Sequence, residues 1–235
     1  MVALVTGASR GIGKAIAEEL ASLGYDLALV ARSAEALAES IASLPETCGK
    51  AVAIPADLSE EESYAAVVAE TVAELGGLDV LVNCAGVSQS GPFEEITPEQ
   101  WNQIFAVNAK APFFLCKEAL PYLKESAHPV VINISSVVGF KGYVHQSAYA
   151  SSKHALAGFT KVFAKEVQPY GIRVHLISPG GVATDMVTRM RPDIDTEELI
   201  QPTEIAELVR FLVTREGKGT LDHLYIRRYS GLAFD

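Results

Sequence analysis

The sequence predicts an α/β fold in which a doubly wound, mostly parallel sheet carries helices on both faces. Three observations lead there. Short apolar runs alternate with longer segments of helical periodicity along the whole chain. The runs, such as Val130-Val131-Ile132, are almost continuously apolar, as strands covered on both faces are. The first of them ends directly in a glycine-rich turn that opens a helix.

At 235 residues and 49% hydrophobic content the chain can bury a sizeable core, and one domain spanning 1–235 is expected. The net charge of -10, with basic residues scattered, argues against nucleic acid or an anionic membrane surface as partner. Val2 to Val5 follow Met1 at once with no basic segment, so no signal peptide is expected, and no apolar run reaches membrane-spanning length. Cys48, Cys84 and Cys116 are odd in number and widely spaced, which fits reduced thiols in a cytoplasmic protein.

Val2-Ala3-Leu4-Val5 is the first strand. Thr6-Gly7-Ala8-Ser9-Arg10-Gly11-Ile12-Gly13 then runs into a helix from Lys14 to Leu23, capped by Gly24. Strand, glycine loop and helix in this order bring backbone N–H groups and a helix N-terminus to a place where a pyrophosphate can sit. The spacing is not that of a Walker loop, since Ala15 stands where a magnesium-binding hydroxyl is needed. Leu27 to Val30 is the second strand and ends at Arg32, about where dinucleotide sites carry an acid for the ribose diol or an arginine for a 2′-phosphate. With Arg32 there and Arg10 in the loop, the expected cofactor is NADP(H) rather than NAD(H).

A helix from Ser33 to Leu44, a strand Ala51–Ile54 leading to Asp57-Leu58, a helix Ser59–Leu75 and a strand Val80–Val82 follow. The strand ends in Asn83-Cys84-Ala85-Gly86, small residues that leave space for a ligand across the sheet edge. Thr97-Pro98-Glu99-Gln100 has the order of a capping box and starts a helix containing Trp101, read as packing, and Asn108. Pro112 cannot donate to the carbonyl of Asn108 four residues back, so that carbonyl is free to hold a water, and Pro121 ends or bends the continuing helix.

After the strand Val130–Ile134 and the Ser135-Ser136 pair comes a loop from Gly139 to Gln146 and then a long helix. From Leu156 to Val167 it reads as apolar nearly all round, which implies a partner subunit, hence a homodimer or homotetramer. A strand Ile172–Ile177 leads to Pro179-Gly180, a polar segment at about 185–201 with Met186, Met190 and Pro192 reads as a mobile substrate flap, and Pro202 opens the last helix before a final strand Leu221–Ile226. The five histidines show no metal-ligand spacing, so no metal is expected.

Tyr149 and Lys153 open the long helix four residues apart and therefore share a face. Such pairs also arise where a ring merely packs under a solvated ammonium. Beside an ammonium, however, a phenol is drawn toward its ionised form and into working range as a proton carrier. A nearby serine can hold a substrate oxygen against it, a set suited to moving a proton on or off an alcohol or carbonyl oxygen.

Taken together, Thr6-Gly7-x-x-x-Gly11-x-Gly13, Asn83-x-Ala85-Gly86, Asn108, Ser136, Tyr149-x-x-x-Lys153 and Pro179-Gly180 resemble the short-chain dehydrogenase/reductase family of compact, single-domain type, over almost the whole chain. The resemblance implies a Rossmann-like fold and a catalytic set of Asn108, Ser136, Tyr149 and Lys153. Tyr149 would be the general acid in reduction, Lys153 would lower its pKa and hold the nicotinamide ribose, Ser136 would polarise the carbonyl, and Asn108 would hold a water linking Lys153 to solvent. Ser135 is the less favoured serine.

It also implies a cofactor cradle. Gly7, Ser9, Arg10, Gly11, Ile12 and Gly13 would take the phosphates, Arg32, Asp57 and Leu58 the adenine end, and Asn83, Ala85 and Gly86 would shape the cleft. Pro179, Gly180, Val182 and Thr184, with Tyr149 and Lys153, would take the nicotinamide end. Two departures stand out: Cys84 replaces the asparagine often found there, and the C-terminus lacks the Gly-Gly usual after the last strand in the fatty-acid-synthesis ketoreductases. The expected activity is NADP(H)-dependent interconversion of a secondary alcohol and a carbonyl on a small or medium substrate. Alternatives are a 3-oxoacyl carrier-protein reductase and, from another class, a non-catalytic NADP-sensing protein.

Overall fold

The structure, a computed structural model, is described for residues 1–190 and 195–231. Seven strands, β1 Val2–Thr6, β2 Asp26–Ala31, β3 Ala51–Pro55, β4 Val80–Asn83, β5 Val130–Ile134, β6 Arg173–Pro179 and β7 His223–Ile226, form one sheet in the order 3-2-1-4-5-6-7. Every neighbouring pair runs parallel. The helices are α1 Gly11–Ser22, α2 Ala34–Ala42, α3 Glu62–Leu75, α4 Pro98–Phe105, α5 Ala111–Leu123, α6 Ser147–Val167, α7 Asp185–Met190 and α8 Pro202–Thr214. This is the doubly wound arrangement expected from the alternating pattern.

Strand alternation divides the core. Ala3 and Val5 of β1 pack with Ile16 and Leu20 of α1 and Val209 and Leu212 of α8 on one face. Leu4, between them, packs with Val67 and Val68 of α3 and Leu115 of α5 on the other. Side chains on successive strand residues point to opposite faces, so a strand covered on both must be apolar throughout. Each Leu, Ile or Val so buried stabilises the fold by roughly 1.5–3 kcal/mol. The order reverses between β1 and β4, and the crevice at their C-terminal ends is where the predicted site residues collect.

Several boundaries differ from the sequence reading. Helix α3 starts at Glu62 rather than Ser59, because the Asp57 carboxylate accepts from both the backbone N–H and the hydroxyl of Ser59 and folds the chain into a turn first. Pro121 lies inside α5, which ends two residues later at Leu123. Helix α6 is not apolar all round: Lys161, Lys165 and Glu166 lie exposed beside Val162, and only one face is buried. At the far end of the segment expected to be a flap, Leu199 and Ile200 are buried and Ile200 forms a bridge with Val182. Within that segment Pro192 and the Met190 side chain lie outside the described residues. Among the described residues no helix is long and apolar enough to cross a membrane.

Candidate active site

The glycine loop is shaped by backbone crowding. Gly7 has φ +68°, and a Cβ there would lie 2.9 Å from the Ala85 Cα. A Cβ on Gly13 would come within 2.2 Å of the Gly7 carbonyl oxygen, so neither position admits a side chain. The Thr6 hydroxyl closes this corner by accepting from the backbone N–H groups of Cys84 and Ala85 at 3.0 and 3.1 Å and donating to the Val82 carbonyl. Strand β1 and the loop after β4 are thereby fastened on either side of the crevice.

Around this corner lie other residues expected to hold a cofactor. Thr184 lies against Gly11, where a Cβ would meet its methyl at 3.1 Å, and so joins the loop after β6 to the glycine loop. Arg10 and Arg32 are exposed, and the Arg10 guanidinium pairs with Asp185 at 3.4 Å. The Asp57 carboxyl is held below its ordinary range, first by the Ser59 hydrogen bonds and to a smaller degree by Arg32. Gly86 lies directly against Asn108 and Lys153: a Cβ there would sit 3.4 Å from Asn108 Oδ1 and 3.8 Å from Lys153 Nζ. A glycine-lined cradle at a helix N-terminus, with two exposed guanidinium groups, fits a phosphorylated dinucleotide in charge and shape.

Four cofactor-cradle residues act differently from a direct reading. Asn83 lies within β4 opposite Asn133 in register, and its amide donates to Asn133 Oδ1 at 2.8 Å. The network continues through Thr160, so the Asn83 side chain braces the sheet against α6 instead of lining the cleft. Val182 and Leu58 are buried in the core and Ile12 packs against it, leaving these three their backbone groups for a ligand.

The four residues expected to be catalytic lie together near the C-terminal edge of the sheet. Tyr149 and Lys153 are buried on α6, with the ammonium 5.9 Å from the ring centroid, and Lys153 Nζ donates to the Ile134 carbonyl at 3.0 Å. Ser136 lies two residues beyond β5, donates to the Pro179 carbonyl and lies near the phenol. Ser135 instead packs beneath α6, with its hydroxyl 3.5 Å from the Lys153 carbonyl, which leaves Ser136 as the serine on the Tyr149 side.

Asn108 is fully buried in a π-helical turn, Ala106–Lys110, between α4 and α5. Its side-chain amide exchanges two hydrogen bonds with Val87, at 2.9 and 2.8 Å, and donates to the Ser152 hydroxyl at 3.1 Å. Ser152 donates in turn to the Tyr149 carbonyl at 2.7 Å. The sequence reading missed Ser152. Its place beside Lys153 on the buried face of α6 was the available signal, since a mid-helix hydroxyl on a buried face needs a partner.

Electrostatics here is set first by burial. Desolvation pushes the Tyr149 phenol up to about 12, with Ser136 pulling the other way. It lowers Lys153 to about 8, with Cys84 as a smaller opposing influence. The phenol is therefore held protonated through the neutral range, the form that can give a proton to a carbonyl oxygen. The lowering of the phenol by the Lys153 ammonium that the four-residue spacing led one to expect is not seen here, where burial sets the direction and Ser136 opposes it.

Comparison with known proteins places this geometry. Residues 1–195 match the family model described as short chain dehydrogenase. A 3-oxoacyl acyl-carrier-protein reductase of Vibrio cholerae is 38% identical over 223 residues, covering 92% of this chain and 90% of that protein. Among solved structures, an alcohol dehydrogenase from the archaeon Thermococcus sibiricus, complexed with 5-hydroxy-NADP, has a TM-score of 0.90 at 30% identity and covers 99% of this chain and 98% of that one. A metagenomic short-chain oxidoreductase in complex with NADP has a TM-score of 0.83 at 34% identity and covers 98% of both chains.

Proposed function

The chain belongs to the short-chain dehydrogenase family, and from that premise we propose that it is an NADP(H)-dependent oxidoreductase interconverting a secondary alcohol and a carbonyl on a small or medium substrate. The observation that carries the reading is the convergence of the buried Tyr149, Lys153 and Asn108 with the half-buried Ser136 on the sheet edge that also holds the glycine loop. NADP(H), when bound, supplies or accepts the hydride. The Ser136 hydroxyl holds the substrate oxygen, and Tyr149 delivers the proton to it in reduction. Lys153 carries the compensating charge for the phenolate left behind, and Asn108 with Ser152 keeps that part of α6 in register. Arg10 and Arg32 would meet the 2′-phosphate. NADPH consumption with a panel of ketones tests the reading; turnover equally supported by a Tyr149→Phe variant would overturn it.

A second reading, 3-oxoacyl carrier-protein reductase, is favoured by the likeness to the Vibrio cholerae reductase. Thioester against free keto-acid turnover separates the two.

We also assign the outer face of α5 and α6 to a second copy of the chain. Phe113 and Val162 are 46% and 56% exposed there, with Ala155 and Gly158 exposed alongside. A groove of about 590 Å³ lies beside them, lined by Phe105, Phe113 and Phe159. Apolar rings flanking small residues allow close approach of an identical helix pair. Sedimentation of the wild type against Val162→Glu checks it: a dimer or tetramer should give way to monomer.

A further inference from the structure

Two polar side chains near the relay have no task in the reaction just proposed. The side-chain oxygens of Gln89 and Gln146 are both buried and, among the described residues, accept no hydrogen bond. A buried amide oxygen without a donor is costly, and native structures keep few of them without a use.

Their placement relates them to the reacting centre. Gln146 is the N-cap residue of α6, three positions ahead of Tyr149 in the chain. Gln89 lies three positions beyond Gly86, in the loop whose Val87 is clamped by the Asn108 amide. The two loops are tied where the Gly91 N–H donates to the His145 carbonyl at 3.0 Å. His145, immediately before Gln146, is the one non-glycine residue with positive φ among those described, at 66°. A bulky residue held in the left-handed region marks a backbone fixed by its surroundings, here in the position that orients Gln146.

We propose that Gln89 and Gln146 form a specificity pair that accepts a hydrogen bond from a donor carried by the substrate beyond its reacting carbonyl, a hydroxyl or an amide N–H. The proposal rests on the carbonyl-reductase reading and deepens it. A neutral carboxamide oxygen offers lone pairs to a donor and nothing to an alkyl chain. A pocket built to hydrogen-bond a substrate rejects the analogue that lacks the group, because the pocket's own polar atom then stays unpaired.

The test compares kcat/KM with NADPH for ethyl 3-oxobutanoate, which has no donor, its 4-hydroxy counterpart, and the N-acetylcysteamine thioester of 3-oxobutanoate, which carries an amide N–H. The wild type should favour at least one donor-bearing compound about tenfold or more over the plain ester, and which of the two is favoured identifies the source of the donor. That ratio should fall toward one in Gln146→Leu and Gln89→Leu, and in the unbranched Gln146→Met and Gln89→Met should a leucine variant fail to fold. Because the ratio is taken within one protein, loss of active material does not alter it. Equal kcat/KM for all three in the wild type, or a ratio unchanged in the variants, overturns the pair while Tyr149-dependent turnover keeps the reductase reading. Absence of Tyr149-dependent turnover on every carbonyl overturns both.

Discussion

The two ends of the crevice are built on different principles. At the reacting end Asn108, Tyr149, Ser152 and Lys153 are all less than a tenth exposed, and Asn108, Ser152 and Lys153 are tied to backbone carbonyls. At the phosphate end Arg10 and Asp185 are each 62% exposed and meet at 3.4 Å, while Arg32 stands in solvent. Folding itself arranges the first group, because leaving a buried polar atom unpaired costs about 1–3 kcal/mol. The second group is screened by water, where a paired charge contributes only about 0.2–1 kcal/mol. The buried end should therefore decide whether there is turnover, and the exposed end which cofactor is preferred.

The sharpest way to break this contrast is Tyr149→Phe. It removes one hydroxyl from the buried end, and turnover should fall by about 10³-fold, within the usual range for a lost general acid. NADPH binding, followed by fluorescence, should change little. Retained turnover would mean that the buried end is scaffold only.

The next effect is on stability. Burial holds the Lys153 ammonium at about 8 against an ordinary 10.5. Between those values the unfolded chain binds more protons than the folded one, so this group makes stability rise with pH, by up to ~1.4 kcal/mol per pH unit. Below pH 8 both states are protonated and the cost is constant. Lys153→Met removes that cost, so any stability advantage of the variant should shrink between pH 8 and 10, measured by urea unfolding. Tyr149, pushed up to about 12 from 10.0, adds the opposite slope above pH 10.

Smaller effects belong to the exposed end. Arg32→Ala should lower the preference for NADPH over NADH about tenfold, equivalent to ~1.4 kcal/mol, while leaving turnover with saturating NADPH nearly intact. Asp185→Asn frees Arg10, and should shift NADPH affinity by less than about fivefold with a stability change under ~1 kcal/mol. A tenfold loss of kcat in either variant would erase the distinction between the ends.

The same division explains what the sequence made legible. Glycine spacing, apolar strands and the four-residue step from Tyr149 to Lys153 are local, and each appears where it was expected. What was hidden depends on distant partners. Asn83 turns inward because its register partner is Asn133, fifty residues away. Ser152 gains its meaning only when the Asn108 turn packs against α6. The burial of Leu199 and Ile200 goes with a bridge from Ile200 to Val182 that no polar composition reveals. Pro112 did point to an irregular backbone at Asn108, but not to its form, because a wider turn comes from how α4 and α5 are each held by their neighbours.

That wider turn has a consequence for the helices on either side of it. An α-helix turns roughly 100° per residue, so the additional residue in Ala106–Lys110 sets the azimuth of α5 relative to α4. Deleting Ala109 would restore a regular ladder while swinging Phe113, Phe114 and Leu115 around the axis by about that angle. The exposed aromatic surface of α5 and the seating of Leu115 in the core are thus geared to the same short irregularity that houses Asn108. A local gain in helical regularity would be transmitted along a whole helix as misalignment.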